Sequence, residues 1–250
     1  MSLGYSDFTG SYNQTDVRDL VFSSAVNPST NKQNFYIEGS YQITEWRLKS
    51  ITIPLSFYLF REGINDGLMV EEEGPDGAVL EIAITASNYT PSQLCSRLKT
   101  ALNDLSDYEY DVLYSSTSGK VLISCPDNQF RVLRASTASY ELGITEDSDF
   151  TNNWVSNQTT DFSGCSMIHL SCPNLATKSD LIGSNKRIIA SIPISQPTGS
   201  VEVYREGDGE FYRINSHLSN IEFQFLDDYL RPLDFQNKNF VVVLTVKVRV

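Results

Sequence analysis

The feature that most constrains this chain is a two-residue alternation of apolar and polar side chains, interrupted at short intervals by turn residues. It recurs in "DVRDLVFSSAV" (16–26), "NFYIEGSYQITEWRLKSITIPLSFYLF" (34–60), "AVLEIAI" (78–84), "YEYDVLYS" (108–115), "KVLISC" (120–125) and "SMIHLSC" (166–172). It returns in "KRIIASIPI" (186–194), "SVEVYRE" (200–206), "NIEFQFLD" (220–227) and "FVVVLTVKVRV" (240–250). A period of two sends successive side chains to opposite faces of an extended backbone. Ten to twelve short strands, separated by Gly, Pro, Asn and Asp, predict an all-β chain built as a jelly-roll β-sandwich. Thirteen Tyr and thirteen Phe against three Met favour the same class, because rings suit a pleated, half-buried surface.

Two strands carry finer information. In 34–60, Trp46 and Leu48 share one phase, whereas Ile51, Ile53, Leu55, Phe57 and Leu59 share the other. The slip near Ser50 predicts a bulge or a break, and Pro54 predicts an edge or the end of a ladder. In the last segment, Phe240, Val242, Leu244, Val246, Val248 and Val250 share a face. The opposite face begins with Val241 and Val243 and ends with Thr245, Lys247 and Arg249, the pattern of a strand buried on both sides only at its start.

One segment has a different period. In "NYTPSQLCSRLKTALNDL" (88–105), Leu94, Leu98, Leu102 and Leu105 recur every three or four residues with Ala101 beside them. Thr90 reads as the N-cap, Pro91 as the first helical residue and Gln93 as the partner of a capping box, so an amphipathic helix is predicted. With the strand before it and the "YEYDVLYS"–"KVLISC" hairpin after it, the helix forms a small strand-helix-hairpin (α+β) insertion at about 78–144. The expected organisation is a flexible N-terminal arm at 1–16 and a single jelly-roll domain over 17–250. That domain carries the insertion and a long polar loop at 145–165.

Charge and motifs narrow the chemistry. Nineteen Lys and Arg against 31 Asp and Glu give a net charge of −12, with the cations scattered singly. Such a surface repels phosphate backbones and is expected to serve solubility or a basic partner, with no direct nucleic-acid binding. No targeting segment and no membrane span are predicted, so the sequons at Asn13, Asn88 and Asn157 carry little weight. Cys165, His169 and Cys172 lie close together without a fourth ligand, and Cys95 and Cys125 are remote, so scattered thiols are expected and no metal. "EDSD" (146–149) and "EGDGE" (206–210) are candidate calcium loops, but neither follows the EF-hand pattern. His169 and His217 are the candidate bases of a hydrolase; without G-x-S-x-G, H-E-x-x-H or a P-loop, no enzyme, no catalytic residue and no cofactor is expected. Trp154, in the 145–165 loop, is the candidate platform for stacking on a sugar ring.

The order of elements resembles the penton (minor capsid, vertex) proteins of virophages and polinton-like tailless icosahedral double-stranded DNA viruses. The resemblance is carried by "ITASNYTPSQLCSRLKTALND" (83–104), the hairpin at 108–125, "ELGI" (141–144), "MIHLSCPNL" (167–175), "RIIASIPIS" (187–195), "GSVEVYRE" (199–206) and the closing run at 218–248. One turn departs from the pattern. Ser87–Asn88–Tyr89 stands where a G-x-Y turn is usual, and Asn tolerates the left-handed conformation such a turn needs. The resemblance implies a virion capsid protein, made in the host cytoplasm, that forms a homopentamer at the fivefold vertices and contacts a major capsid protein of double-jelly-roll type. A pentamer needs heterologous interfaces that close on themselves, and the aromatic strand surfaces are the expected source. The alternative is a recognition module that binds a glycan or host receptor through the 145–165 loop.

Overall fold

A computed structural model describes residues 15–26, 32–36, 42–74, 77–175, 187–207, 209–214 and 220–249. The expected arm at 1–16 falls outside these except for Thr15 and Asp16, which open the first strand. In chain order come β1 (Thr15–Ser23), β2 (Lys32–Tyr36), β3 (Gln42–Pro54), β4 (Gly67–Glu72) and β5 (Val79–Ala83). The helix α1 (Pro91–Leu105) precedes β6 (Asp111–Ser115), β7 (Lys120–Ser124), β8 (Phe130–Val132) and β9 (Asn153–Val155). Then follow β10 (Met167–Ser171), β11 (Ile188–Pro193), β12 (Val201–Arg205), β13 (Tyr212–Arg213), β14 (Asn220–Leu226) and β15 (Val241–Arg249).

The chain divides into two compact units, one of Met1–Phe57 with Ser166–Val250, the other of Tyr58–Cys165. In the first, one sheet has the order β1-β15-β3-β12, with β13 also on β3, and the other has the order β11-β10-β14-β2. Setting aside the two-residue β13 and counting this unit's eight remaining strands along the chain, the sheets read first-eighth-third-sixth and fifth-fourth-seventh-second. That interleaving is the double Greek key of a jelly roll. The expected fold class is therefore present, and the order of the strands establishes it.

Rings fill the space between the two sheets. Phe22 of β1 meets Phe223 of β14 at 5.3 Å and Phe35 of β2 at 5.4 Å between centroids, edge to face. Phe225 meets Phe240 at 4.6 Å and Phe235 at 5.0 Å in the same manner. Edge-to-face pairs at these distances add to the stabilisation from area burial. These aromatic residues were the expected source of subunit contacts; the sandwich uses them internally instead.

The phase slip near Ser50 is a bulge. Val243 pairs with Ser50 and Leu244 with Leu48, so Lys49 is the extra residue, and a second irregularity lies between Lys247 and Val248. Because of the first, Trp46 and Leu48 on one side and Ile51 and Ile53 on the other all reach the same core. Pro54 ends β3, which is a central strand of its sheet.

The second unit corrects the expected boundaries. The insertion extends beyond 78–144 because β4 pairs with both β5 and β8, and β9 pairs with β7. The described contacts group into two units, one inserted in the sequence of the other. The stretch at 145–165 is no long free loop. Asp147 Oδ1 accepts from the Arg134 backbone N–H at 2.7 Å, Ser148 Oγ from Val132 N–H at 2.9 Å, and Asn152 Nδ2 donates to the carbonyls of Cys125 and Asn128 at 3.0 and 2.9 Å. Short polar side chains satisfy the backbone here, and in composition that is indistinguishable from a solvated loop.

The helix begins as its sequence dictates. Thr90 Oγ1 accepts from Gln93 N–H at 3.4 Å, and Gln93 Oε1 accepts from Thr90 N–H at 2.9 Å, with Pro91 at the start. Leu94, Leu98 and Leu102 are fully buried and Cys95 joins them, but Leu105 is 54% exposed, so the core stripe is one residue shorter than expected. The Asn88 turn also differs. No residue there has positive φ; instead Asn88 Oδ1 accepts from Leu59 N–H at 2.6 Å. Gly143, with φ +69°, is irreplaceable for another reason: a Cβ would lie 2.4 Å from the carbonyl oxygen of Gln158.

Candidate functional site

The residues singled out by sequence are placed as follows. Trp154 is 4% exposed in the core of the second unit, because β9 turns it inward opposite Ile123 while Asn153 and Val155 face out. It offers no stacking platform, which removes the residue on which glycan recognition through 145–165 rested. His169 is buried in β10, with Nδ1 2.8 Å from Ser191 Oγ on the neighbouring β11. His217 lies outside the described residues. Cys172 follows the inward phase of Ile168 and Leu170, whereas His169 points to the other face, so the close spacing in sequence does not converge in space. Among the described residues, no group of three His, Cys, Asp or Glu side chains is placed to hold a metal ion. Burial pushes the thiol of Cys172 up to about 12 and that of Cys95 up to about 11, so both stay protonated and inert at neutral pH.

One of the two acidic motifs supports the backbone. Asp147 of "EDSD" is the backbone acceptor described above. In "EGDGE", Asp208 is outside the described residues, and Glu206 lines a cleft of about 520 Å³ with Arg47, Lys49, Ser50 and Arg205. Burial raises the pKa of Glu206, opposed by the charge of Arg47. The cleft exists because β12 pairs with β3 over residues 50–54 and β13 over 45–46, leaving 47–49 between two strand ends. Elsewhere, buried Glu202 accepts from the backbone N–H of Ser195 at 2.8 Å and Gln196 at 3.2 Å and so fixes the turn before β12.

Sequence reasoning missed the most distinctive surface, the outward face of the β1-β15-β3-β12 sheet. Opposed residues in the ladders share a face, which gives the rows Ser23–Val241–Thr52–Val203 and Val21–Val243–Ser50–Arg205, with Val201 beside Pro54. Val21 is 65% exposed, Val201 and Val203 are half exposed, and Val241 and Val243 partly so. The solvent face of an antiparallel sheet is normally polar. Here it carries five valines, interrupted by Ser50 and Thr52, that together present on the order of 400 Å² of apolar surface, within the range of the largest and often functional patch on a monomer. The other half of the face is mainly charged, with exposed Val17 opposite Lys247. Asp19 accepts from Lys49 Nζ at 2.5 Å and from Thr245 Oγ1 at 2.8 Å, and Lys247 Nζ donates to Glu45 at 2.6 Å. Phe211 lies under both Arg47 and Lys247, at 5.0 and 4.4 Å from its centroid. Arg47, Lys49, Arg205, Arg213, Lys247 and Arg249 outnumber Asp19 and Glu45 on the strands, and with Glu206 and Glu210 from the adjoining loop the described face remains net positive.

The net charge is distributed unevenly. Residues 58–165 hold 17 acidic and 6 basic residues, a net −11, and the remaining chain holds 14 and 13, a net −1. Part of this acidity surrounds the end of α1, where Asp104, Asp107 and Glu109 are exposed beside exposed Leu105 and Tyr108. The last turn of α1 contains no basic residue, although cations there would complement the helix dipole. Among the described residues, no helix is long and apolar enough to cross a membrane.

Fold and surface together define a jelly-roll β-sandwich with an inserted acidic unit, an architecture class that includes viral capsid and lectin domains. No family model matches the sequence, and no curated protein matches it. Among solved structures, the selenomethionine-labelled mavirus penton protein is similar with a TM-score of 0.46 and 10% identity, over 94% of this chain and 100% of that one.

Proposed function

We propose that the chain is a structural capsid protein forming the homopentameric vertex (penton) of an icosahedral virion, where it contacts a major capsid protein of double-jelly-roll type. The observation that carries this reading is the complete eight-strand jelly-roll order combined with an exposed valine face on one of its sheets. A surface of that kind on an otherwise polar chain suits a protein that works by assembling. The segments that resemble virophage pentons supply most of the sandwich strands and, in 83–125, the helix and hairpin of the inserted unit. In this role the chain is a building block and performs no catalysis.

Native mass spectrometry of the purified protein tests the reading. A closed species of five copies is the expected outcome, and a monomer at the highest soluble concentration would overturn it.

A further inference from the structure

We propose that the outward face of the β1-β15-β3-β12 sheet docks the acidic end of α1 from a second copy of the same chain, forming a heterologous contact. The inference rests on the oligomeric reading above and deepens it by naming both surfaces.

Three observations lead to it. The face has one valine half and one cationic half, and the end of α1 has the matching composition, Leu105 and Tyr108 flanked by Asp104, Asp107 and Glu109. Apolar anchors bordered by charges of opposite sign satisfy both requirements of a specific contact, buried area and electrostatic complementarity. The signs also select the type of contact. Two net-positive faces repel, so an isologous pairing of the face with itself is disfavoured, whereas the inserted unit, at net −11, attracts it. A heterologous contact is the kind that generates a ring.

Size is adequate. Four strands at about 4.8 Å spacing and up to nine residues at about 3.4 Å give a face of roughly 600 Å² in projection. That leaves room for the five exposed residues at the end of α1, and the contact is smaller than the ~800 Å² per partner of a standard interface. The acids at the end of α1 oppose the helix dipole and are therefore unfavourable within the isolated subunit; docking against cations offsets that cost.

The heterologous geometry gives a test by complementation. One variant spoils the face (Val21→Asp with Val203→Asp), and another spoils the helix end (Asp104→Lys, Asp107→Lys and Glu109→Lys). Each alone is expected to sediment as a monomer at concentrations where the wild type assembles. Mixed in equal amounts they form a 1:1 complex, because one retains the helix end and the other the face. A carbodiimide, which joins lysine amines to carboxylates, can close the Lys49–Asp19 and Lys247–Glu45 pairs within a chain. The links it forms between chains are expected from Lys49 or Lys247 of the helix-end variant to the helix end of the face variant. All substituted positions are exposed, and circular dichroism checks folding. If the Asp pair unfolds the sandwich, Val21→Thr with Val203→Thr takes its place and is expected to reduce assembly. Variants that assemble like wild type, or a mixture that stays monomeric, overturn this contact while an assembled wild type leaves the oligomeric reading standing. A monomeric wild type overturns both.

Discussion

The two units solve the same burial problem with different materials. The sandwich packs phenylalanine rings between two sheets and is close to neutral, net −1. The inserted unit packs mainly aliphatic side chains of two three-stranded sheets around α1, with Phe60, Tyr110, Phe130 and Trp154 among them, and carries net −11. Among the described residues the two units bury polar side chains in equal number, six each, and in the inserted unit these join elements distant in sequence. Asn65 Nδ2 donates to buried Glu141 at 2.6 Å, and Glu72 accepts from Ser106 Oγ at 2.5 Å and Tyr110 Oη at 3.0 Å. Burial and the Glu72 charge raise the phenol pKa of Tyr110, so it remains a donor throughout the physiological range. The difference teaches how the chain divides its tasks. Ring packing inside the sandwich leaves its outer face free to carry valines and cations, whereas the unit with exposed carboxylates ties its distant elements together through buried hydrogen bonds.

Each unit has one buried tryptophan, Trp46 in the sandwich and Trp154 in the insertion, so the contrast can be followed by fluorescence. The largest effect is expected from Phe223→Ala. Loss of a fully buried ring at the centre of the edge-to-face cluster should cost about 3–5 kcal/mol, read from denaturant unfolding of a Trp154→Phe protein that reports through Trp46. A loss below 1 kcal/mol would mean that the rings do not hold the sheets. In the insertion, Gly143→Ala combines a positive φ with a clash against the Gln158 carbonyl and should cost about 3 kcal/mol in the Trp154 signal. Thr90→Ala removes half the capping box and should cost about 1 kcal/mol in the same signal, with Thr90→Ser close to wild type.

The smallest effect is electrostatic. Hydrogen bonds from Lys49 and Thr245, partly opposed by burial, hold the Asp19 carboxyl below its ordinary value. A carboxyl depressed in the folded state stabilises above its unfolded pKa and loses that contribution as pH falls through the folded value. Wild type should therefore lose slightly more stability than Asp19→Asn as pH drops below about 4. Equal acid sensitivity of the two proteins would show that this network contributes nothing to the sandwich.

The fold was legible to different depths in the two units. The last strand, the bulge at Lys49 and the capping box at Thr90–Gln93 are local signals, set by alternation or by spacing within one turn. The stretch at 145–165 was not legible, because its order depends on Asp147, Ser148 and Asn152 finding backbone partners on β7 and β8 or the turns next to them. Trp154 was misread for the same reason. An aromatic residue in a polar stretch looks exposed until β9 pairs with β7. Leu105 was misread the other way, since helical spacing predicts a stripe but not where the core beneath it ends.

By itself the sequence determined the all-β class, the place of the α-helix α1 and the overall negative charge, because these follow from nearest-neighbour periodicity and composition. Only the tertiary structure decided which faces remain open and where the charge sits. Strands distant in sequence had to pair, β1 with β15 across more than two hundred residues, before Val21, Val243 and Val203 came to share one exposed face. Alternation states that a strand has two faces; only packing determines which of them is covered.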